Sequence, residues 1–377
     1  MTAPLAVTSW SSVSGFGIGA QAFASGIVSG QPGLVPGQPG PVPGQPGVRG
    51  PEDGQRAPAS SVPGFDIRQL LGRKNTRSMD RLTGLAVLTV GRLLDGERAA
   101  GHEFSGAETG LVLGTTTGSV QSMMDFSRDS FTLAKPYLVD PARFPNAIMN
   151  CAAGQCAIWH GLRGPNATIA SGQVAGLSVL RYAARLHRFG HARSVLCGAV
   201  EELTPQRAWL EDQRQDGSGH PPPGEGCGVF RLESADEAHA GGRPVFAYLL
   251  ATAFCVYASA SGVPAALADC VSSVLGQAGA SAGDVWMLAS ELPDAQRAGL
   301  DKVIGGRPRR IGLATATGDT GAASTALALA AVISHAGADP ATRDRLALVV
   351  SADREGLAGA AAFRVPPHPG GTDHAGH

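Results

Sequence analysis

One local pattern constrains this chain more than any other. In "GPNATIASGQVAGLS", residues 164–178, a short apolar strand (Ala167 to Ala170) runs through a Ser-Gly turn directly into a helix. The pattern recurs: "RRIGLATA" reads as a strand, "TGDTG" as a turn and "AASTALALAAVISHAG" as an apolar helix closed by glycine. Ser171-Gly172-Gln173 and Thr317-Gly318-Asp319 hold the same place in the two copies. A repeat of this kind points to two related α/β halves packed together, each bringing one turn to a shared centre. The handover from strand to helix is also where proteins place a nucleophile. Here it holds Gln173, an amide with no nucleophilic chemistry.

The rest of the chain agrees with α/β alternation. Asp80 to Glu97 has apolar residues at helical spacing, and "ETGLVLGTTTG" reads as a buried strand ending in a glycine-rich turn. "VAGLSVLRYAARLHRFG" puts Val174, Leu177, Leu180 and Ala184 on one face and arginines on the other, with Gly190 placed as a C-cap. "RSVLCGAV" follows as a strand. Residues 31–62 are different in kind: they repeat a Pro-Gly-Gln-Pro-Gly unit with almost no apolar bulk, which predicts an exposed, poorly ordered insertion. A proline-recognition ligand also fits that composition, but a tolerated surface insertion fits it better.

Bulk composition narrows the function classes. With 43% hydrophobic residues and a net charge of −1, the chain can build a large core and carries no basic surplus for nucleic acid or a membrane surface. Its six cysteines form no C-x-x-C pair, as expected of reduced thiols in a cytoplasmic protein. The N-terminus shows no positive leader followed by an apolar run. The apolar run Ala322 to Ile333 is too short to span a bilayer.

Five segments, in order, resemble the ketosynthases of fatty acid and polyketide assembly. These are "AVTSWSSVSGFGIGAQAFASGIVSG", "GFDIRQLLGRKNTRSMDRLTGLAV", "FPNAIMNCAAGQCAIWHGLRGPNATIASGQVAGLSVLRYAARLHRFGHARSVLCGAVEEL", "GEGCGVFRLES" and "ATGDTGAASTALALA". The resemblance implies a duplicated thiolase-like fold in a layered α-β-α-β-α body. Its N-terminal half would span 1–235, with the insertion at about 31–62, and its C-terminal half 236–377. It also implies changes at every reacting position. A working ketosynthase has cysteine at the position of Gln173. Its two histidines are best matched by Ser290, in "VWMLASELPDAQRAG", and by Asp319, in Gly318-Asp319-Thr320-Gly321. Its Gly-Phe-Gly-Gly gate reads Asp353-Arg354-Glu355-Gly356.

Glutamine at the nucleophile position is what chain length factors show, the inactive partners of ketosynthases in type II polyketide systems. That resemblance implies pairing with a catalytic ketosynthase alpha subunit, service to an acyl carrier protein that bears the growing chain, and no cofactor or metal. Thr168, Ile169 and Ala170 would then lie on the dimer-interface strand, and Met123, Met124 and Phe126 would line the chain tunnel.

Simpler roles compete for some of these residues. An acid at a helix N-terminus is favourable in itself, so Asp319 carries no catalytic assignment. Glutamine is a poor N-cap, so capping does not account for Gln173. His160 reads as structural, and Cys156 and Cys227 as buried, inert thiols. Met123, Met124 and Phe126 could instead be ordinary core, though the tunnel reading is preferred. Two further functions stay open beside the partner subunit: a malonyl decarboxylase that kept one half-reaction, and a stand-alone acyl-binding homodimer. Loss of both histidines counts against the decarboxylase, since enolate formation needs hydrogen-bond donors.

Overall fold

The computed structural model describes residues 4–31, 60–213, 221–305, 308–342 and 344–366. Its strands are β1 (Leu5–Ser14), β2 (Gly17–Ile18), β3 (Thr109–Thr115), β4 (Asn166–Ala170), β5 (Ser194–Glu201), β6 (Gly226–Ser234), β7 (Ala247–Val256), β8 (Val285–Ala289), β9 (Arg309–Ile311), β10 (Leu346–Ala352) and β11 (Leu357–Arg364). Its helices are α1 (Ala20–Ser29), α2 (Ile67–Leu71), α3 (Arg81–Ala99), α4 (Val120–Thr132), α5 (Cys151–His160), α6 (Ala175–Arg188), α7 (Pro205–Gln213), α8 (Ala235–Ala240), α9 (Val263–Gln277), α10 (Asp294–Ile304), α11 (Ala314–Thr317) and α12 (Ser324–Ala338).

The sheet order states the duplication. Read inward from its two edges, the sheet runs β4-β3-β5-β6-β1 and β9-β8-β10-β11-β7, with β2 paired off β1. In each unit the first two pairings are parallel and the next two antiparallel. The units join where Leu5–Val7 of β1 meets Ala247–Leu249 of β7. Helices α6 and α12 lie between the units and touch strands of both. Helices α3 and α5 cover the outer face of the first unit and α9 that of the second, with α10 against α9, which completes the α-β-α-β-α layering.

Sequence explains the central layer. Every residue of α12 from Ser324 to His335 is buried, and much of its surface is alanine, so sheet and helix approach it from all sides. Gly321–Ala338 is apolar enough to cross a membrane, yet 83% of it is buried inside the protein, as befits a core helix. Helix α6 buries Leu177, Leu180 and Ala183 and turns Arg181, Arg185 and Arg188 outward; Gly190, at φ 71°, ends it. The two helices cross closely at Gly176, where a Cβ would lie 2.2 Å from Thr325 Oγ1 and 2.9 Å from the Ala326 nitrogen.

The structure corrects four sequence expectations. First, the repeat has a different register. Gly172 (φ 51°) and Gly321 (φ 50°) open the equivalent 3-10 turns Gly172–Val174 and Gly321–Ala323, so Ala322, not Asp319, matches Gln173. Second, the strand in "RRIGLATA" stops at Ile311, because the Glu291 carboxylate accepts the Leu313 and Ala314 N–H groups and starts the short helix α11. Third, α12 runs through Gly337 to Ala338. Fourth, residues 32–59 of the Pro/Gly-rich segment lie outside the described residues, but its C-terminal end is built into the body. Ser60 bridges to Gly224, and buried Val62 donates its N–H to Glu225 Oε1 at 2.7 Å. The same carboxylate accepts from Leu203 N (2.9 Å) and Arg81 Nε (2.6 Å).

The crossing at Gly176 gives a direct test. Gly176→Val should destabilise the fold by about 1–3 kcal/mol, the usual range for overpacking a filled interior. Denaturant midpoints at constant m-value would show it, and an unchanged midpoint would mean that the helices can part without cost.

Candidate functional site

The first turn delivers Gln173 to a cavity of about 340 Å³ between the halves. Its backbone carbonyl accepts from Ser351 Oγ (3.3 Å) and Thr325 Oγ1 (3.4 Å), which ties the turn to β10 and α12. Its side-chain Nε2 reaches Asp319 Oδ1 at 3.5 Å. Its backbone N–H donates to Asp353 Oδ2 at 2.8 Å. Only glycine permits this last contact: a Cβ on Gly172 would lie 1.7 Å from the same oxygen.

Asp353 belongs to the β10–β11 hairpin turn, which is the changed gate, Asp353-Arg354-Glu355-Gly356. Asp353 Oδ1 accepts the Glu355 N–H at 2.9 Å, and Gly356 takes φ 103° to close the turn. All four residues line the cavity, facing Tyr257, Ser259, Asp319 and Glu291. Burial first, and then the Asp353 charge, push the Tyr257 phenol up from its ordinary value.

Asp319 lines the cavity as well, with Oδ1 accepting the Gly321 N–H at 2.8 Å. Ser290 does not line it. That residue is buried behind the wall, its N–H given to Ile311 O, while its neighbour Glu291 faces the space. Burial raises the Glu291 carboxyl, and Asp319 adds to the shift. Glu291 was missed in the sequence, and the only signal for it was an acid one position beyond a site of uncertain loop length. Among the described residues that line the cavity there is neither a cysteine nor a histidine. Cys156, Cys197, Cys227 and Cys270 are buried elsewhere, and burial raises all four thiols, Cys227 to about 12. Among the described residues, no group of three or more His, Cys, Asp and Glu side chains could hold a metal ion.

Comparison with known proteins identifies the scaffold. The family model of the beta-ketoacyl synthase N-terminal domain matches residues 2–238. The chain belongs to the beta-ketoacyl synthase family. It is 27% identical over 212 residues to 3-oxoacyl-[acyl-carrier-protein] synthase 2 of Vibrio cholerae, covering 50% of each protein. It is 29% identical over 204 residues to the synthase of the same name from Synechocystis, covering 49% of each. The matches thus span about half the length of these curated relatives. A solved structure titled "The ishigamide ketosynthase/chain length factor" is 37% identical, with TM-score 0.83 over 96% of this chain and 99% of that one. A type II polyketide ketosynthase solved with its acyl-carrier protein shares the fold at 18% identity, TM-score 0.76, over 97% of this chain and all of that one.

The remaining sequence candidates lie away from the cavity. Met123, Met124 and Phe126 sit on α4, where Val120 alone is buried; Met123 is 40% exposed, and Phe126 packs its ring 5.7 Å from that of Phe144. Thr168, Ile169 and Ala170 are on β4, an edge strand of the sheet. Ile169 packs inward on the central core, Ala170 is exposed, and the buried Thr168 hydroxyl has no hydrogen-bond partner among the described residues. His160 is structural: Nε2 lies 2.9 Å from Val87 O.

Behind the turns is a set of buried acids. Glu201 Oε2 accepts from Thr116 and from Ala322 N (3.3 Å), which fastens the second turn to β5, and Arg207 reaches the Asp319 carbonyl at 3.1 Å. Glu202 accepts from Ser119 Oγ (3.2 Å), the N-cap of α4, and from Gln121 N (3.2 Å). Burial, followed by the charge of Asp80, raises Glu202 from 4.5 to about 8. A carboxyl raised on folding contributes stability that is full below its unfolded pKa and lost as pH rises through its folded one. Stability should therefore fall from about pH 4.5 to 8, by at most about 1.4 kcal/mol per pH unit from this group. Glu202→Gln should flatten that slope and gain on the parent chain near pH 8. Unfolding curves at several pH values would test it; parallel profiles would show Glu202 ionised throughout.

Proposed function

We propose that this protein is the non-catalytic, chain length factor-type subunit of a type II ketosynthase, pairing in the cytoplasm with an active ketosynthase alpha subunit and shaping the tunnel for a polyketide or polyene chain brought by an acyl carrier protein. The observation that carries this reading is the Gln173 site. The nucleophile is absent, no histidine lines the cavity among the described residues, and the Gln173 N–H is already occupied by a carboxylate. Likeness to a ketosynthase/chain length factor structure over nearly the whole chain supports it. A decarboxylase is disfavoured on charge: a malonyl carboxylate would meet Glu291, Asp319, Asp353 and Glu355, with Arg354 the one cation among the described lining residues.

The edge of the first sheet unit supports a partner. Among the described residues β4 has a strand on one side only, and an edge of this kind invites pairing. Helix α5, which packs on β4, exposes Ile158 at 77%, and the turns packed on α4 expose Tyr137 at 71% and Phe144 at 52%. Such a surface suits an obligate interface, commonly of order 2,000 Å² or more. Coexpressed with its cognate ketosynthase, the chain should elute as a one-to-one complex. Ile158→Asp, which leaves the described core untouched, should weaken it about 100-fold or more, as loss of an interface hot spot does. A chain that stays a well-behaved monomer and retains no ketosynthase would remove this assignment.

The tunnel reading places Met123, Met124 and Phe126 against the growing chain, where unbranched methionine adapts to a flexible guest. In the active complex, Met124→Trp should shorten the product by mass. Unchanged length with full activity would make α4 a plain surface helix.

A further inference from the structure

We infer that Asp353 is a built-in occupant of the oxyanion position, so that the site is closed to acyl transfer by two independent changes: the missing thiol at 173 and a carboxylate held where a substrate's carbonyl oxygen would sit. This inference rests on the non-catalytic reading above and adds a residue to it.

The geometry is specific. In nucleophilic acyl transfer, a backbone N–H at the nucleophile stabilises the negative oxygen that develops on the carbonyl. The N–H at 173 opens a 3-10 turn that continues into α6, so it is directed at the cavity with the favourable end of a helix behind it. Asp353 Oδ2 already accepts that N–H at 2.8 Å. The carboxylate is held there from both sides: Oδ1 takes the Glu355 N–H at 2.9 Å, and the Asp353 N–H is given to Leu357 O at 2.7 Å within the hairpin turn. Gly172 leaves room for it, and Gly356, at φ 103°, lets the turn close. A carbonyl oxygen entering this position would have to displace a charge-assisted hydrogen bond, and its developing negative charge would face Asp353.

The consequence can be isolated by supplying the missing thiol. In Gln173→Cys the thiolate sulfur attacks the carbonyl carbon of an acyl-pantetheine thioester and a carbon–sulfur bond forms. The oxyanion then collapses, the bond to the pantetheine sulfur breaks, and the departing thiolate takes up a proton. With Asp353 in place this step lacks its donor. Removal of one oxyanion donor costs about 10²–10³ in rate elsewhere. Asp353 should also disfavour the thiolate by like charge, a separate effect.

The experiment compares three full-length chains: Gln173→Cys, Gln173→Cys with Asp353→Asn, and Gln173→Cys with Asp353→Ala. Iodoacetamide alkylation against pH gives each thiolate fraction. Single-turnover acylation by octanoyl-pantetheine, followed by intact mass, is divided by that fraction. Asp353→Asn keeps an acceptor on the N–H without the charge, so it should lower the thiol pKa yet leave acylation per thiolate within about threefold. Asp353→Ala should raise acylation per thiolate by about 10²-fold. Equal rates per thiolate in all three chains would overturn the inference. Hydrogen exchange on the wild-type chain tests the same bond without any substitution: the Gln173 amide should exchange at least about 10²-fold more slowly than an unbonded amide, and exchange at the unbonded rate would overturn it. Wild-type chain acylated on one of its own cysteines would overturn the non-catalytic reading instead, and would leave the comparison at 173 intact.

Discussion

The structure depends on one close crossing, that of α6 over α12 at Gly176. With no side chain there, the two central helices lie close enough for both to start at a common point, each from a glycine held in the left-handed region, Gly172 and Gly321. Two helix starts facing one small space create a strongly anion-seeking site. The chain fills that demand internally. Asp353 takes the N–H of Gln173 at 2.8 Å, and in the equivalent turn Glu201 Oε2 takes that of Ala322 at 3.3 Å. The duplication of the fold thus reaches down to single hydrogen bonds, with each turn's carboxylate supplied by the opposite half.

The sequence revealed the architecture better than the wiring. The strand–turn–helix repeat, the long helix after Asp80 and the central helices could be read because periodicity and glycine placement are local signals. Asp80 and Ser119 cap their helices through their own side chains, as their residue types suggest. The register of the repeat was misread by aligning Gly172 with Gly318 instead of Gly321. Both glycines take positive φ, and nothing local says which one opens the equivalent turn. The end of β9 was misread for a different reason. An apolar run of "IGLATA" gives no hint that a carboxylate 23 residues away, on Glu291, will start a helix there. Contacts between distant segments, such as Ser60 and Val62 with the Gly224-Glu225 stretch, are invisible to patterns for the same cause.

The Gln173 site shows the same division. Substitution of the nucleophile was legible because it is a change of residue type at a recognisable place. The role of Asp353 was not, since it depends on a hairpin bringing residue 353 to residue 173 across 180 positions. A changed gate read from sequence is only a lost motif, whereas in three dimensions it is a gained contact.

That contact bears on why such a chain keeps its fold at all. The groups that hold the scaffold around the site are the glycines of the turns and buried carboxylates. Glu225 joins Arg81, Leu203 and the return of the N-terminal insertion, and Glu201 ties β5 to the second turn. None of these is a reacting group. The residues at 173, 319 and 353, where the sequence differs from the ketosynthase pattern, line the cavity. Their replacements add to the scaffold, because each carboxylate satisfies a backbone N–H that an empty site would leave to solvent. On the non-catalytic reading proposed above, the same change that silences the site stabilises it, and an isolated reversion at 173 would restore a nucleophile to a place that Asp353 already fills.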